Sequence, residues 1–286
     1  MNVLLFAGLT LRELARRRLV AAVAVLTLAI VAFTAWGLHR LATAVVDGAP
    51  IADPGKHAAA AGIVIVLAFL FSFVLALGAA LVGAPAMAES IANGEILAVL
   101  ARPLRRSDVA LGRWLGTVVA LALYVAVAGG IELLVVRVTT GYVPPYPLSA
   151  LAYLCALGAV VTTAAVALAS RLPALAAGIV SALLFGLAWI GGIIQSIGLA
   201  LGNQRLADAG TVVALVFPSD ALWRGALYAL QPAVFTAVAA NANASGAGVN
   251  PFSVTSPPPP AMLAWAFGWT VAVLVAGIAA FRTRDL

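Results

Sequence analysis

The sequence predicts an all-α integral membrane protein with six transmembrane helices, and three observations carry that prediction. Of the 286 residues, 64% are hydrophobic and only 9% are charged. With a mean hydropathy of +1.12, a water-soluble fold of this length could not cover its apolar surface. Six stretches, 19–38, 58–84, 114–136, 148–170, 172–201 and 261–281, each supply the roughly 20 apolar residues that a helix needs to cross a hydrocarbon core. They are also too long and too aliphatic for barrel strands, which run to about ten residues and alternate in polarity. The chain 1–286 therefore reads as one helical transmembrane domain.

Taken in order, the elements begin with a basic segment, 1–18, ending in Arg16, Arg17 and Arg18. The span after it is longer than the roughly 7–15-residue apolar region of a signal peptide, so it reads as a membrane helix that is retained. Counting Lys and Arg on each side sets the orientation. With the N-terminus inside, one face holds Arg12, Arg16, Arg17, Arg18, Arg102, Arg105, Arg106, Arg113, Arg171, Arg282 and Arg284. The other holds Arg40, Lys56, Arg137, Arg205 and Arg224. Eleven against five, accounting for all 16 cations, predicts that both termini are cytoplasmic. Basic loops of this origin also explain the pI near 10.2; no basic patch interleaved with aromatics points to nucleic acid. The lone cysteine, Cys155, lies in an apolar span and rules out an intrachain disulfide.

Between the second and third spans lies the link 86–113, which concentrates arginines and acids in an otherwise apolar chain. Its first part, 86–100, predicts a short surface helix with Ile91, Glu95 and Ala98 near one face. Pro103 ends that helix. Arg106, Ser107 and Asp108 then offer an N-cap for the helix that continues into the third span. A bland alternative is a solvated connector whose arginines only hold topology.

Within the third span Glu132 is the one ionisable residue well inside a predicted helix, and so an intramembrane polar site. Two roles stand open for it: pairing with Arg137 five positions on, or contact with a transported molecule. His39 and His57 fall in or near the first outer loop with Asp47 and Asp53 between them, but zinc takes three or four suitably spaced ligands and no further His is available, and neither hydrolase motifs nor H-E-x-x-H occur. The outer segment 202–260 predicts short helices dipping into the outer leaflet at 211–230, broken at Pro218. Asp220 and Arg224 near its centre argue against a seventh span, and make this segment an outer gate element. From 231 to 260 the Ala-, Asn-, Gly-, Ser- and Pro-rich composition predicts a mobile or extended loop.

Glu89, Gly94, Ile96, Val99, Leu100, Pro103, Arg106, Leu111, Gly112, Arg113 and Gly116 follow an order that resembles the segment after the second span in membrane permeases of type-2 ATP-binding-cassette exporters. That family includes the permease of the nitrous-oxide-reductase maturation transporter and its relatives. The basic segment "LTLRELARRR", the element "FPSDALWRGAL" and the ending "FRTRDL" are similar to the family's N-terminal interfacial helix, its element before the last span and its C-terminus. The resemblance implies a bacterial plasma-membrane permease that works as a homodimer, or with a related permease, and binds membrane lipids. It also implies ATPase coupling through Glu89, Gly94, Glu95, Arg102, Pro103 and Arg106. The chain lacks a G-x-x-x-x-G-K-[ST] phosphate loop, and its single lysine, Lys56, lies on the predicted outer side. ATP and Mg would therefore sit on a separate ATPase subunit, with no cofactor, metal or catalytic residue expected on this chain. The competing class is an ion-coupled secondary transporter or channel, with an intramembrane enzyme third.

Overall fold

The computed structural model describes residues 2–16, 18–46, 49–92, 105–245, 252 and 254–283. They form α1 (Asn2–Arg16), α2 (Arg18–Ala42), a two-residue hairpin β1 (Val45–Val46) and β2 (Ala49–Pro50), then α3 (Asp53–Ala92) and α4 (Arg106–Tyr124). A π-helical turn, Val125–Gly129, joins α4 to α5 (Gly130–Thr140). There follow α6 (Pro147–Ala169), α7 (Ala174–Ala200), α8 (Gln204–Val216), α9 (Ser219–Leu230), α10 (Ala233–Ser245) and α11 (Pro260–Arg282).

Six helical rods among the described residues are long and apolar enough to cross a membrane. They are Ala21–Ala42, Asp53–Met87, Arg106–Thr140, Pro147–Ala169, Ala174–Ala200 and Pro260–Arg282. The chain is thus a multi-pass helical protein. A hydrophobic centre forms where α3, α6 and α7 meet α9. Phe69 and Phe73 of α3 interlock there with Phe185 and Trp189 of α7, Trp223 of α9 and Phe252, ring centroids 4.8 to 5.8 Å apart. Edge-to-face contacts of this kind add to what burial alone contributes.

The first and last described helices, α1 and the end of α11, sit at one end of this bundle. Arg106 at the start of α4 donates to the Arg282 carbonyl at the end of α11 (3.4 Å), and Arg171 after α6 donates to the Thr283 hydroxyl (2.7 Å). α1 lies against α4 at the same end. Its Phe6, Ala7, Thr10 and Leu14, spaced by one helical turn, are buried, while Leu4, Leu5 and Leu9 on another face are exposed. Gly112 and Gly116 of α4 form a small-xxx-small stripe. A Cβ on Gly116 would stand 2.7 Å from the Ala7 carbonyl oxygen and 2.8 Å from Thr10 Cβ. Only glycine lets the two backbones approach this closely.

The link differs from expectation at both of its described edges. The helix starting at Asp53 does not stop and restart after Pro85 but runs through to Ala92. Proline removes one donor, and the residues after it, Ala86-Met87-Ala88-Glu89, are mostly strong helix formers that carry the ladder on. Nor does the 106–108 stretch cap α4. The helix begins at Arg106 itself, Arg105 is extended without a side-chain cap, and Asp108 lies in the first turn, where its charge suits the positive end of the dipole.

At the far end, Gly202 with φ +64° reverses the chain after α7, and α8 returns alongside it. The two helices close on glycine. A Cβ on Gly191 would meet Val213 side-chain atoms at 2.6 and 2.7 Å, and one on Gly198 or Gly210 would overlap the backbone of the facing helix. The chain then bends by 99° between α8 and α9. α9 comes back to the same end, where the Tyr146 amide donates to the Ala229 carbonyl (3.1 Å) and the Tyr142 hydroxyl to the Leu230 carbonyl (2.8 Å). Burial pushes the Tyr142 phenol up to about 12. With both ends of the α8–α9 pair at one end of the bundle, the pair is re-entrant, and it begins at Gln204 rather than at 211.

The segment after α9 is more ordered than its composition predicts. Residues 233–245 are helical, because the alanine-rich run favours a helix over the expected extended chain. The buried Gln231 amide accepts from the Val254 amide at 3.2 Å and donates to the Val254 carbonyl. These bonds fasten the returning segment before α11.

Candidate functional site

Polar chemistry concentrates at three places in the bundle. The first lies at the end that carries α1 and the end of α11. Arg113 projects from α4 between two other helices, donating to the Ala86 carbonyl of α3 at 2.7 Å and standing 3.8 Å from the Glu13 carboxylate of α1. One guanidinium with five donors can bridge three helices in this way. Of the predicted coupling residues, Glu89 lies in the helical continuation of α3 and Arg106 opens α4. Gly94, Glu95, Arg102 and Pro103 lie outside the described residues.

The second place is the re-entrant pair. Arg224 donates from Nε to Asp220 Oδ2 at 2.7 Å, one helical turn away on α9. Its Nη2 reaches across to α7, donating to the Gly192 carbonyl and to the Ser196 hydroxyl, the latter at 2.8 Å. Asp220 is only 5% exposed. It fits because residue 192 is glycine: a Cβ there would overlap the carboxylate. Pro218 caps the start of α9 at the 99° bend. Pro218, Asp220 and Arg224 are thus brought together with two partners, Gly192 and Ser196, that sequence reading missed. The i, i+4 spacing of Asp220 and Arg224 signalled their mutual pairing. The glycine-rich run Gly191-Gly192 signalled a close approach without naming the helix that approaches.

The third place is the face of the α4–α5 rod that meets α2, α3 and α6. A cavity of about 410 Å³ lies between α2, α3, this rod and α6, lined by apolar side chains with Glu132 among them. The expected pairing with Arg137 is absent: Arg137 is exposed, and both Glu132 oxygens are buried without a hydrogen-bond partner. Five residues along an α-helix turn the side chain by about 500°, which leaves the two pointing some 140° apart. Thr34 of α2 is the neighbouring polar group, yet its buried hydroxyl and the carboxylate do not meet in hydrogen-bond geometry. The π-helical turn lies immediately before Gly130. Such a turn shifts the register of everything beyond it, a feature frequent at functional sites. Nothing in the sequence marked it.

Among the described residues no three His, Cys, Asp or Glu side chains lie close enough to hold one metal ion. Comparison with protein-family models and with curated proteins returns no match for this chain.

Proposed function

We propose that the protein is the membrane-spanning permease subunit of an ATP-binding-cassette exporter in a bacterial-type plasma membrane. Two copies, or this chain with a related permease, would form the translocation pathway, and separate ATPase subunits would supply the energy. The observation that carries the reading is the gathering, at one end of a six-span bundle, of α1, the end of α11, the two described edges of the 86–113 link and the Arg113 bridge. A force applied to the link at that end would pass through Arg113 to α1, α3 and α4 together. Rigid-body displacement of packed helices is a common way for such a push to travel. In this reading ATP draws the ATPases together, the link transmits the motion, and the space between two permeases opens on the other side. The re-entrant α8–α9 pair shields that space from outside.

The reading is tested by purifying the tagged chain from its native membrane and identifying what accompanies it. An ATPase with a phosphate loop is expected, retained by Arg137→Ala at the opposite end and lost or uncoupled from transport in Glu95→Arg. A charge reversal in a desolvated docking groove costs a few kcal/mol, whereas at a solvated connector it costs little. Recovery of no ATPase would overturn the proposal. It would favour an ion-coupled transporter, the reading to which the unpaired Glu132 and the broken α8–α9 pair lend support.

A further inference from the structure

The Glu132 cavity combines features that neither packing nor topology requires. Its wall is apolar almost throughout: Ile30 and Phe33 of α2, Phe71 of α3 and Leu154 of α6 contribute to it. The Thr27 and Tyr124 hydroxyls on the same wall satisfy each other at 2.9 Å. That leaves Glu132 as the one charged group lining the cavity among the described residues, with both oxygens shielded and neither bonded. A carboxylate kept out of water without a partner is costly. The cavity also opens sideways, since its lining residues Leu26, Ile30, Phe33 and Leu70 are exposed on the outside of the bundle. Tyr124 and Glu132 both line it and stand about two turns apart on the rod, so the apolar space runs lengthwise beneath the acid.

We propose that this cavity is a binding site for an amphiphilic amine, whose ammonium group pairs with Glu132 while its hydrocarbon body fills the space between α2, α3 and α6. An ammonium supplies the charge and the hydrogen-bond donors that the carboxylate lacks. An alcohol would supply one donor and leave the charge uncompensated. A metal ion would need further ligands, and among the described residues none cluster there. The amine is either a dissolved amphiphile or the headgroup of a lipid in the surrounding leaflet. The inference does not depend on an ATPase partner and stands or falls separately from the exporter reading.

The test is native mass spectrometry of the full chain released from uncharged detergent, titrated with dodecylamine or dodecanol, which differ only in the head. Dodecylamine is expected to form a one-to-one adduct at least about tenfold tighter than dodecanol, the scale of one charge-assisted contact. Glu132→Gln, similar in shape but uncharged, should abolish the preference. Ala29→Trp, an exposed position lining the cavity, should fill it from its open side and weaken both ligands. Equal affinity for amine and alcohol, or a preference that survives Glu132→Gln, would overturn the proposal. If Glu132→Gln does not fold, an amine adduct undiminished in Ala29→Trp overturns it as well. In lipid nanodiscs, a phosphatidylethanolamine adduct lost in Glu132→Gln identifies the headgroup as the source. An adduct that forms only with added dodecylamine and not with phosphatidylethanolamine identifies a dissolved amphiphile.

Discussion

Asp220 and Arg224 show how a single buried acid is made tolerable in a chain with few charges. The carboxylate is 5% exposed, its charge is met by a guanidinium at 2.7 Å, and the Nη2 donors of that guanidinium are taken up on α7. Removing one member of such a pair strands the other, which typically costs about 3–5 kcal/mol. Arg224→Ala is therefore expected to lower the unfolding temperature in detergent sharply. Arg224→Lys should rescue little, because a single ammonium cannot reach Asp220, the Gly192 carbonyl and Ser196 together. A lysine variant as stable as the parent would mean that the bridge to α7 contributes nothing. Glu132 is the opposite case. Its nearest cation in sequence lies on another side of the same helix, and neither of its buried oxygens has a hydrogen-bond partner among the described residues.

Among the elements, the re-entrant pair depends on glycine at the α7–α8 contact. Inside a lipid bilayer helices gain little from the hydrophobic effect, and close backbone packing becomes the main source of association. At Gly210 an added Cβ would overlap the backbone of α7, with Gln195 and Gly191 the obstructing residues. At Gly186 of α7 nothing lies within 4 Å. Gly210→Ala is expected to destabilise by about 1–3 kcal/mol through overpacking. Gly186→Ala should be neutral or stabilising by up to about 1 kcal/mol, since alanine is the better helix former. Thermal unfolding of the two variants side by side checks this, and equal behaviour would show that α8 does not pack as closely as described. The same logic explains why Gly112 and Gly116 hold α1 on α4, a role that their spacing suggests but that only the facing helix defines.

For the molecule as a whole, the positive-inside count predicts which end faces the cytoplasm. Cysteines at Ser107 and Gln204 in a Cys155→Ala chain should react with an impermeant maleimide from opposite sides of sealed vesicles, Gln204 from outside. Ser107 reacting from outside and Gln204 from inside would reverse the topology and remove the link from reach of any cytoplasmic ATPase, whereas same-side labelling would overturn the three spans between them. Composition and spacing by themselves determined the membrane class, the six spans to within several residues at each end, and the break at Pro218, because hydropathy, length and proline chemistry are local properties. They also pointed to Asp220, Arg224 and Glu132, since an ionisable residue in an apolar run stands out whatever surrounds it. They could not say that α3 continues past Pro85, that 233–245 is helical, or that Glu132 lines a cavity while Arg137 is exposed. Nor could they name Gly192 and Ser196 as the partners of Arg224. Those outcomes depend on which helix packs against which face and on a π-helical turn that shifts the register between Tyr124 and Gly130, and such relations between distant segments arise only when the whole bundle closes.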